Sequence, residues 1–383
     1  MVLQWKNVQD AELLIPRYFG IRNGKQYCRR CITFIGDGVP YIKRKDNISF
    51  LKMFFDLSPK QKKCSSAILK SYQEKKNTLV YAVCGAGKTE IVYQTISYAL
   101  SLGQRVGFAI PRKDVVIELY PRLAMNFPFN KVVAIYGNHH DDLIGDITLL
   151  TTHQLFRFHN YFDLLIVDEI DAFPYANNEV LNDFMKNAIR GNHILMSATP
   201  FESIIKEYKK EGHKIVQLFE RYHKHSIPVP VVKKTRLRII SFIEMIIILR
   251  KYIKEKKPVL LYFSSITLTE RTYFWIKQIV KKGNYAHSKR KGREKMVEDF
   301  KNRHYDYLCT TTILERGITI DNLQVIVFDA DSNLFSKESL VQIAGRVGRK
   351  INHPSGDAIF FCKHETQNIK EGINDINEAN RSM

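Results

Sequence analysis

Short runs of apolar and β-branched residues recur along two stretches of the chain, each run followed by a longer segment with helical spacing. In the first stretch the runs fall at 78–83, 105–110, 146–151, 163–168 and 193–197; in the second they fall at 259–264, 306–311, 325–329 and 358–362. Runs that stay apolar instead of alternating belong to strands buried on both faces, and their alternation with helices predicts parallel sheets built from βαβ units. Between the stretches, His225-Ser-Ile-Pro-Val-Pro-Val231 places prolines at 228 and 230, where neither a helix nor a central strand continues. An extended linker is predicted there. The chain is therefore expected to divide into a first lobe over 57–226, a second over 227–383, and a small segment 1–56 that follows neither rhythm. The most apolar run, 239–249, is interrupted by Glu244 and is about half the ~20 residues a membrane-spanning helix needs. It predicts a buried helix.

Composition changes this picture in one respect. A chain of 383 residues with 45% hydrophobic content has material for two or three cores, but 59 Lys and Arg against 39 Asp and Glu leave a formal charge of +20. Folding does not require that surplus, and it points to a polyanionic partner. The first fifty residues contribute nine basic residues against four acids. Within them Cys28-Arg-Arg-Cys31 follows a turn at Gly24 and resembles one knuckle of a zinc ribbon. One knuckle gives two ligands where structural Zn²⁺ takes four, so Cys28 and Cys31 are read as half a site. Six cysteines in this length suggest no disulfide framework, and no secretory signal opens the sequence, so a cytoplasmic protein is expected. His139, His140, His223 and His225 have no ligand spacing and are read as surface residues.

The strongest chemical signal is Ala82-Val-Cys-Gly-Ala-Gly-Lys-Thr89, which follows a predicted strand and opens a helix. Small residues at Cys84, Gly85, Ala86 and Gly87 let backbone amides wrap a phosphate; Lys88 reaches the β and γ phosphates of ATP, and the Thr89 hydroxyl suits Mg²⁺. Ala82 stands where the general pattern has its first glycine. At the tip of an apolar strand lie Asp168 and Glu169, followed by Asp171, in the position where an open α/β sheet presents its ligand site. Asp168 is suited to hold Mg²⁺ and Glu169 to activate water. Ser197-Ala-Thr199-Pro200 ends the next strand, with two hydroxyls that could relay closure between nucleotide and nucleic-acid sites. In the second lobe, Gln342-Ile-Ala-Gly-Arg346-Val-Gly-Arg349 offers two guanidiniums on successive turns, suited to charge on a transferring phosphoryl group.

Taken in order, these segments resemble the superfamily 2 helicases of DEAD/DEAH type. Further matches are Leu57-Ser-Pro-Lys-Gln61 to the adenine-reading Q element, Pro111-Arg112 to a strand contact, Thr151-Thr152-His153-Gln154 to a second, and Thr310-Thr311 through Gly317 to motif V. The resemblance implies two RecA-like lobes, with Gln61 and Gly317 on the nucleotide side. It places nucleic acid across Pro111, Arg112, Thr151 to Gln154, Thr310 and Thr311. The basic run Lys289, Arg290, Lys291, Arg293 would lie nearby or in an exposed loop. A narrower likeness is to the ComFA family of late-competence ATPases in naturally transformable bacteria. It is carried by Tyr27 to Cys31, Leu57 to Gln61, Ala82 to Glu90, Pro111 to Val116, Asp168 to Tyr175 and Gln342 to Arg349. It implies an ATP- and Mg²⁺-dependent translocase on single-stranded DNA, without a transmembrane segment, working at the inner face of the cell membrane. Its expected partners are an uptake channel and other competence proteins. One departure stands out: Ile15-Pro-Arg-Tyr-Phe19 occupies the place of the family's first cysteine pair, which puts zinc in doubt. Two other readings stay open, a primosomal-type replication or repair helicase and a non-hydrolysing nucleic-acid adaptor.

Overall fold

A computed structural model describes residues 19–22, 25–28, 36–44, 46–139, 142–171, 178–315 and 319–383, the first two segments by backbone alone. Compactness divides the chain into two units. One comprises the residues up to Tyr81 together with Lys88–Gln217; the other comprises Ala82–Gly87 together with Leu218–Met383.

The N-terminal strands β1 (Phe19–Arg22) and β2 (Lys25–Cys28) form an antiparallel ribbon, Phe19 opposite Cys28. The first large sheet is built from β3 (Thr78–Ala82), β4 (Val106–Ile110), β5 (Val132–Ile135), β6 (Ile147–Thr151), β7 (Phe162–Val167), β8 (Ile189–Ser197) and β9 (Lys214–Leu218). Their order is β5-β6-β4-β7-β8-β3-β9. The pairs β5/β6, β6/β4, β4/β7, β7/β8 and β8/β3 are all parallel, so these six strands end on one edge of the sheet. That edge is where a parallel sheet offers a ligand site. The interior strands are apolar because helices cover both faces: every residue of β4 and β6 is buried. Leu79, Ala109, Leu165, Val167 and Leu195 anchor this core.

The second unit has a six-stranded sheet of β10 (Val231–Lys234), β11 (Val259–Tyr262), β12 (Gly283–Ala286), β13 (Tyr307–Thr310), β14 (Gln324–Val327) and β15 (Ala358–Cys362), in the order β10-β15-β14-β11-β13-β12. Every adjacent pair is parallel, and Leu249, Leu261, Ile326 and Phe361 lie in its core. Two parallel-sheet α/β lobes are thus present as the apolar runs predicted.

Two expectations change. The described part of the first fifty residues packs into the first unit: the Val39 amide donates to the Arg157 carbonyl at 2.7 Å. Buried Arg44 pairs with Asp146 at 2.9 Å and donates to the Leu100 carbonyl at 2.9 Å. Some of the basic surplus therefore serves a buried ion pair. The apolar run 239–249 forms the helix Arg238–Lys254, but only part of it is core. Met245, Leu249 and Tyr252 face inward, whereas Ile239, Ile243 and Ile247 are exposed. A helix packed on one face of a sheet buries one stripe, and this helix carries isoleucine outside that stripe.

Candidate active site

The phosphate turn follows β3. Gly85 and Gly87 both sit at φ +81°, in the left-handed region that a side chain disfavours, and the helix Lys88–Ile91 begins at once. Ala82 is fully buried at the end of the strand. A turn of this hand running into a helix start gathers amide donors, which fits an anionic phosphate and accounts for the small residues. Lys88 and Thr89 are half-buried, and Glu90 is ion-paired to Arg122. Gln61, expected to read adenine, is buried at the third position of the helix Pro59–Gln73. Its side-chain oxygen accepts the Ser58 amide at 2.9 Å, while Ser58 Oγ accepts the Gln61 amide at 3.2 Å, a closed capping box.

The acidic turn follows β7, and the Asp168 amide is tied to the Ala109 carbonyl at 2.9 Å. Burial pushes the Asp168 carboxyl up to about 6; the Lys88 charge pulls it down and the Glu169 charge adds to the rise. Lys88 and Asp168 therefore share one electrostatic environment in the first unit, which a divalent cation would complete. Glu169 stands at φ +54°, a left-handed conformation that costs a non-glycine residue ~1–2 kcal/mol. Its amide donates to Asp168 Oδ1 at 2.9 Å. Asp171 is buried and collects both hydroxyls at the end of β8: Ser197 Oγ at 2.7 Å and Thr199 Oγ1 at 2.7 Å. The signal for this link lay in the Asp-Glu-x-Asp spacing beside Ser-x-Thr, but which acid holds the hydroxyls was not legible.

The basic turn lies in the second unit. The helix Lys337–Ala344 stops at Gly345, so Arg346 and Arg349 sit in the turn beyond it and not on successive helical turns. The physical reason is Gly348, which at φ +66° directs the chain out of the helix. Arg346 is 2% exposed and its Nε donates to the Glu315 carbonyl at 2.7 Å; Arg349 is half-buried, its Nε donating to the Gly345 carbonyl at 2.9 Å. In the same unit Cys84 donates its thiol to Gln342 Oε1 at 2.8 Å.

The residues expected on nucleic acid are less accessible. Pro111, Thr151, Thr152 and Gln154 are buried, and Gln154 Oε1 accepts from Arg157 Nε at 2.6 Å; Arg112 and His153 are half-buried. These do stand at the ends of β4 and β6, on the same sheet edge as Asp168. In the second unit Thr310 is fully buried and gives its hydroxyl to the Ala286 carbonyl at 2.9 Å, and Thr311 is nearly buried. Lys289 and Lys291 are exposed, Arg290 and Arg293 half-buried, with Arg290 stacked 3.5 Å over the Tyr285 ring. Gly317, His140, Cys31 and the Ala172 to Tyr175 part of the narrower likeness lie outside the described residues, as does the side chain of Cys28. Among the described residues no cluster of three or more His, Cys, Asp or Glu could hold a metal, and Cys64, Cys84, Cys309 and Cys362 are buried free thiols.

Comparisons with known proteins agree with this geometry. Residues 54–202 match the family described as type III restriction enzyme, res subunit, and residues 241–350 match the helicase conserved C-terminal domain. The Competence protein ComFA of Bacillus subtilis is 33% identical over 95% of this chain and 83% of its own length. That of Streptococcus pneumoniae is 34% identical over 94% and 86%. Among solved structures, S. cerevisiae Dbp5 bound to RNA and ADP BeF3 superposes with a TM-score of 0.61 at 15% identity, covering 86% of this chain and 93% of its own. The DUF1998 helicase MrfA bound to DNA gives 0.59 at 14%, covering 88% and 52%. At such identities these last two establish the fold alone.

Proposed function

The chain belongs to the ComFA family of competence proteins within the superfamily 2 helicases, and from that premise we propose that it is an ATPase stimulated by single-stranded DNA that pulls DNA inward during natural transformation. The observation that carries the proposal is the acidic turn, in which Asp168 is raised by burial within reach of the Lys88 charge and Asp171 is bonded to both hydroxyls of Ser197 and Thr199. Bound Mg²⁺ and ATP would supply the γ-phosphoryl group and the charge that these residues are built to balance. Lys88 and the amides of the phosphate turn orient and neutralise the phosphates. Thr89 and Asp168 are the side chains suited to the metal. Glu169 is suited to accept the proton of the attacking water. Arg346 and Arg349 offset charge that develops during transfer, the role of an arginine finger. Asp171 links the acidic turn to the end of β8, so a change at Asp168 and Glu169 is felt at Ser197 and Thr199. The division into 57–226 and 227–383 as functional lobes belongs to the same proposal.

DNA binding in this reading is dominated by backbone contacts and is salt-sensitive and tolerant of sequence. No described helix is long and apolar enough to cross a membrane, and we place the protein in the cytoplasm, held at the membrane by the uptake channel or other competence proteins. The decisive experiment measures ATP turnover alone and with single-stranded DNA, single-stranded RNA and duplex DNA, with Lys88→Ala and Glu169→Gln as controls. Stimulation by single-stranded DNA that both variants abolish is expected. Equal stimulation by RNA overturns the uptake reading, and DNA binding without turnover leaves an adaptor.

A further inference from the structure

The turn that carries Arg346 and Arg349 is gripped by a residue outside every helicase motif. Arg221 lies just beyond β9 and is completely buried. Its Nη1 donates to the carbonyls of Val347 at 2.9 Å and Gly348 at 3.0 Å, and its Nη2 donates to that of Gly345 at 3.0 Å. Three carbonyls of one four-residue stretch therefore converge on one guanidinium. The flanking residues face the phosphate turn. The Tyr222 amide donates to the Gly85 carbonyl at 3.3 Å, and the Leu218 carbonyl accepts the Val83 amide at 3.1 Å. A side chain on Gly85 would come within 3.9 Å of Arg221. Tyr222 also donates its hydroxyl to the Arg349 carbonyl at 3.3 Å. The stretch 218–222 is thus bonded to the phosphate turn and to the arginine turn, all within the second unit.

A buried guanidinium normally faces a carboxylate, because an uncompensated charge in the interior is costly. Arg221 has no acid partner among the described residues. Burial and the Arg349 charge hold it down at about 10, still protonated at neutral pH, and its Nε has no hydrogen-bond partner. A structural tie between two loops is made more cheaply by a neutral side chain or by backbone amides. What a guanidinium adds is a rigid, planar fork that fixes several acceptors in one geometry. We propose that Arg221 is a positioning residue for hydrolysis: it holds the Gly345–Gly348 turn so that Arg346 and Arg349 are presented in one arrangement, and through residues 218–222 it ties that arrangement to the phosphate turn. This inference rests on the reading of the chain as an ATPase.

The test uses the full chain and single-stranded DNA, comparing Arg221→Met, Arg221→Lys, Arg349→Ala and the double variant Arg221→Met/Arg349→Ala for kcat and KM, with a fluorescent ATP analogue reporting binding. Arg221→Met should lower kcat by ~30-fold or more while the analogue's affinity stays within ~3-fold, because the residue acts on transfer and not on binding. Lysine, a single point donor, should restore only part of the rate. Since Arg221 acts through the arginines, the loss in the double variant should fall well short of the product of the two single losses, whereas an independent structural defect would multiply. Full-rate Arg221→Met, or losses that multiply in the double variant, overturn the inference. Should Arg221→Met fail to fold, Arg221→Lys decides: it keeps the charge and removes the fork that gathers the three carbonyls, and an unchanged kcat overturns the inference. A parent chain without ATP turnover defeats the ATPase reading and this inference with it; a hydrolysing parent with an indifferent Arg221 defeats this inference alone.

Discussion

The acidic turn after β7 and the basic turn after the helix Lys337–Ala344 are both polar and largely buried, yet they are held by opposite means. Asp171 takes the hydroxyls of Ser197 and Thr199, two side chains. The arginine turn is held through its backbone: the carbonyls of Gly345, Val347 and Gly348 go to Arg221, and that of Gly345 also to Arg349. The contrast follows from chemistry, since an ionised carboxylate only accepts and a guanidinium only donates. An acid recruits hydroxyls and amides, whereas an arginine readily recruits carbonyls, which every residue has. Partners that are side chains leave a signature in the sequence; partners that are carbonyls leave none.

The largest expected effects test whether the two turns contribute to one reaction. Arg349→Ala should lower kcat by ~10³-fold or more while nucleotide still binds, as loss of an arginine finger does. Glu169→Gln should lower it by ~10²- to 10⁴-fold, the range of a general base. Combined in one chain the two losses should fall well short of multiplying, because residues acting in one transition state are not additive. Multiplying losses, read in single-turnover experiments, would mean that the two turns act independently and not as one unit.

A smaller effect separates two acids three residues apart. Asp168 has its carboxyl raised by burial to about 6, above the ordinary value of 3.8. In the ligand-free protein the folded state therefore binds the proton more tightly than the unfolded one. The sign follows: stability falls as pH rises from about 3.8 to about 6, and the ionised group is a net cost at pH 7. Asp168→Asn should raise the thermal stability of the ligand-free protein at pH 7, by about 3 kcal/mol at most, while abolishing turnover. Asp171→Asn should do the reverse to stability, costing about 2 kcal/mol, because it weakens two charge-assisted hydrogen bonds. Thermal denaturation at pH 7 and pH 4.5 checks both; the Asp168→Asn gain should shrink at the lower pH. Equal signs for the two variants would end the distinction between a strained acid and a supporting one.

The same logic explains what the sequence made legible. All nine runs read as strands became interior strands, because a strand covered on both faces must be apolar throughout, as in Val-Leu-Leu-Tyr of β11. In the two large sheets the four strands that went unread, β5, β9, β10 and β12, are the four edges. There one side pairs with nothing in the sheet and the composition relaxes: β10 is Val-Val-Lys-Lys and β12 is Gly-Asn-Tyr-Ala. Of the candidate site, the phosphate and acidic turns were legible because glycines at φ +81° and adjoining carboxylates are residue-specific demands. The resemblance that placed Thr152 and Thr310 on nucleic acid said nothing of their burial. Arg221 was invisible for the reason already given: its partners are carbonyls.

The smallest effect concerns Gln61, where a side chain again meets backbone. Its oxygen closes the capping box with Ser58, and the resemblance also assigns it to adenine. Both roles ask for glutamine, so the residue's identity does not separate them, but a pair of variants does. Ser58→Ala removes the cap and should cost ~1 kcal/mol of stability without altering the preference for ATP over GTP. Gln61→Ala should cost a similar amount in stability, since it opens the same box from the other side, and should in addition narrow the difference in KM between ATP and GTP. Both are read from thermal denaturation and from turnover with the two nucleotides at matched concentrations. If Gln61→Ala leaves the ATP preference as Ser58→Ala does, glutamine stands there for the helix start alone, and base recognition must be sought on other residues of the first unit.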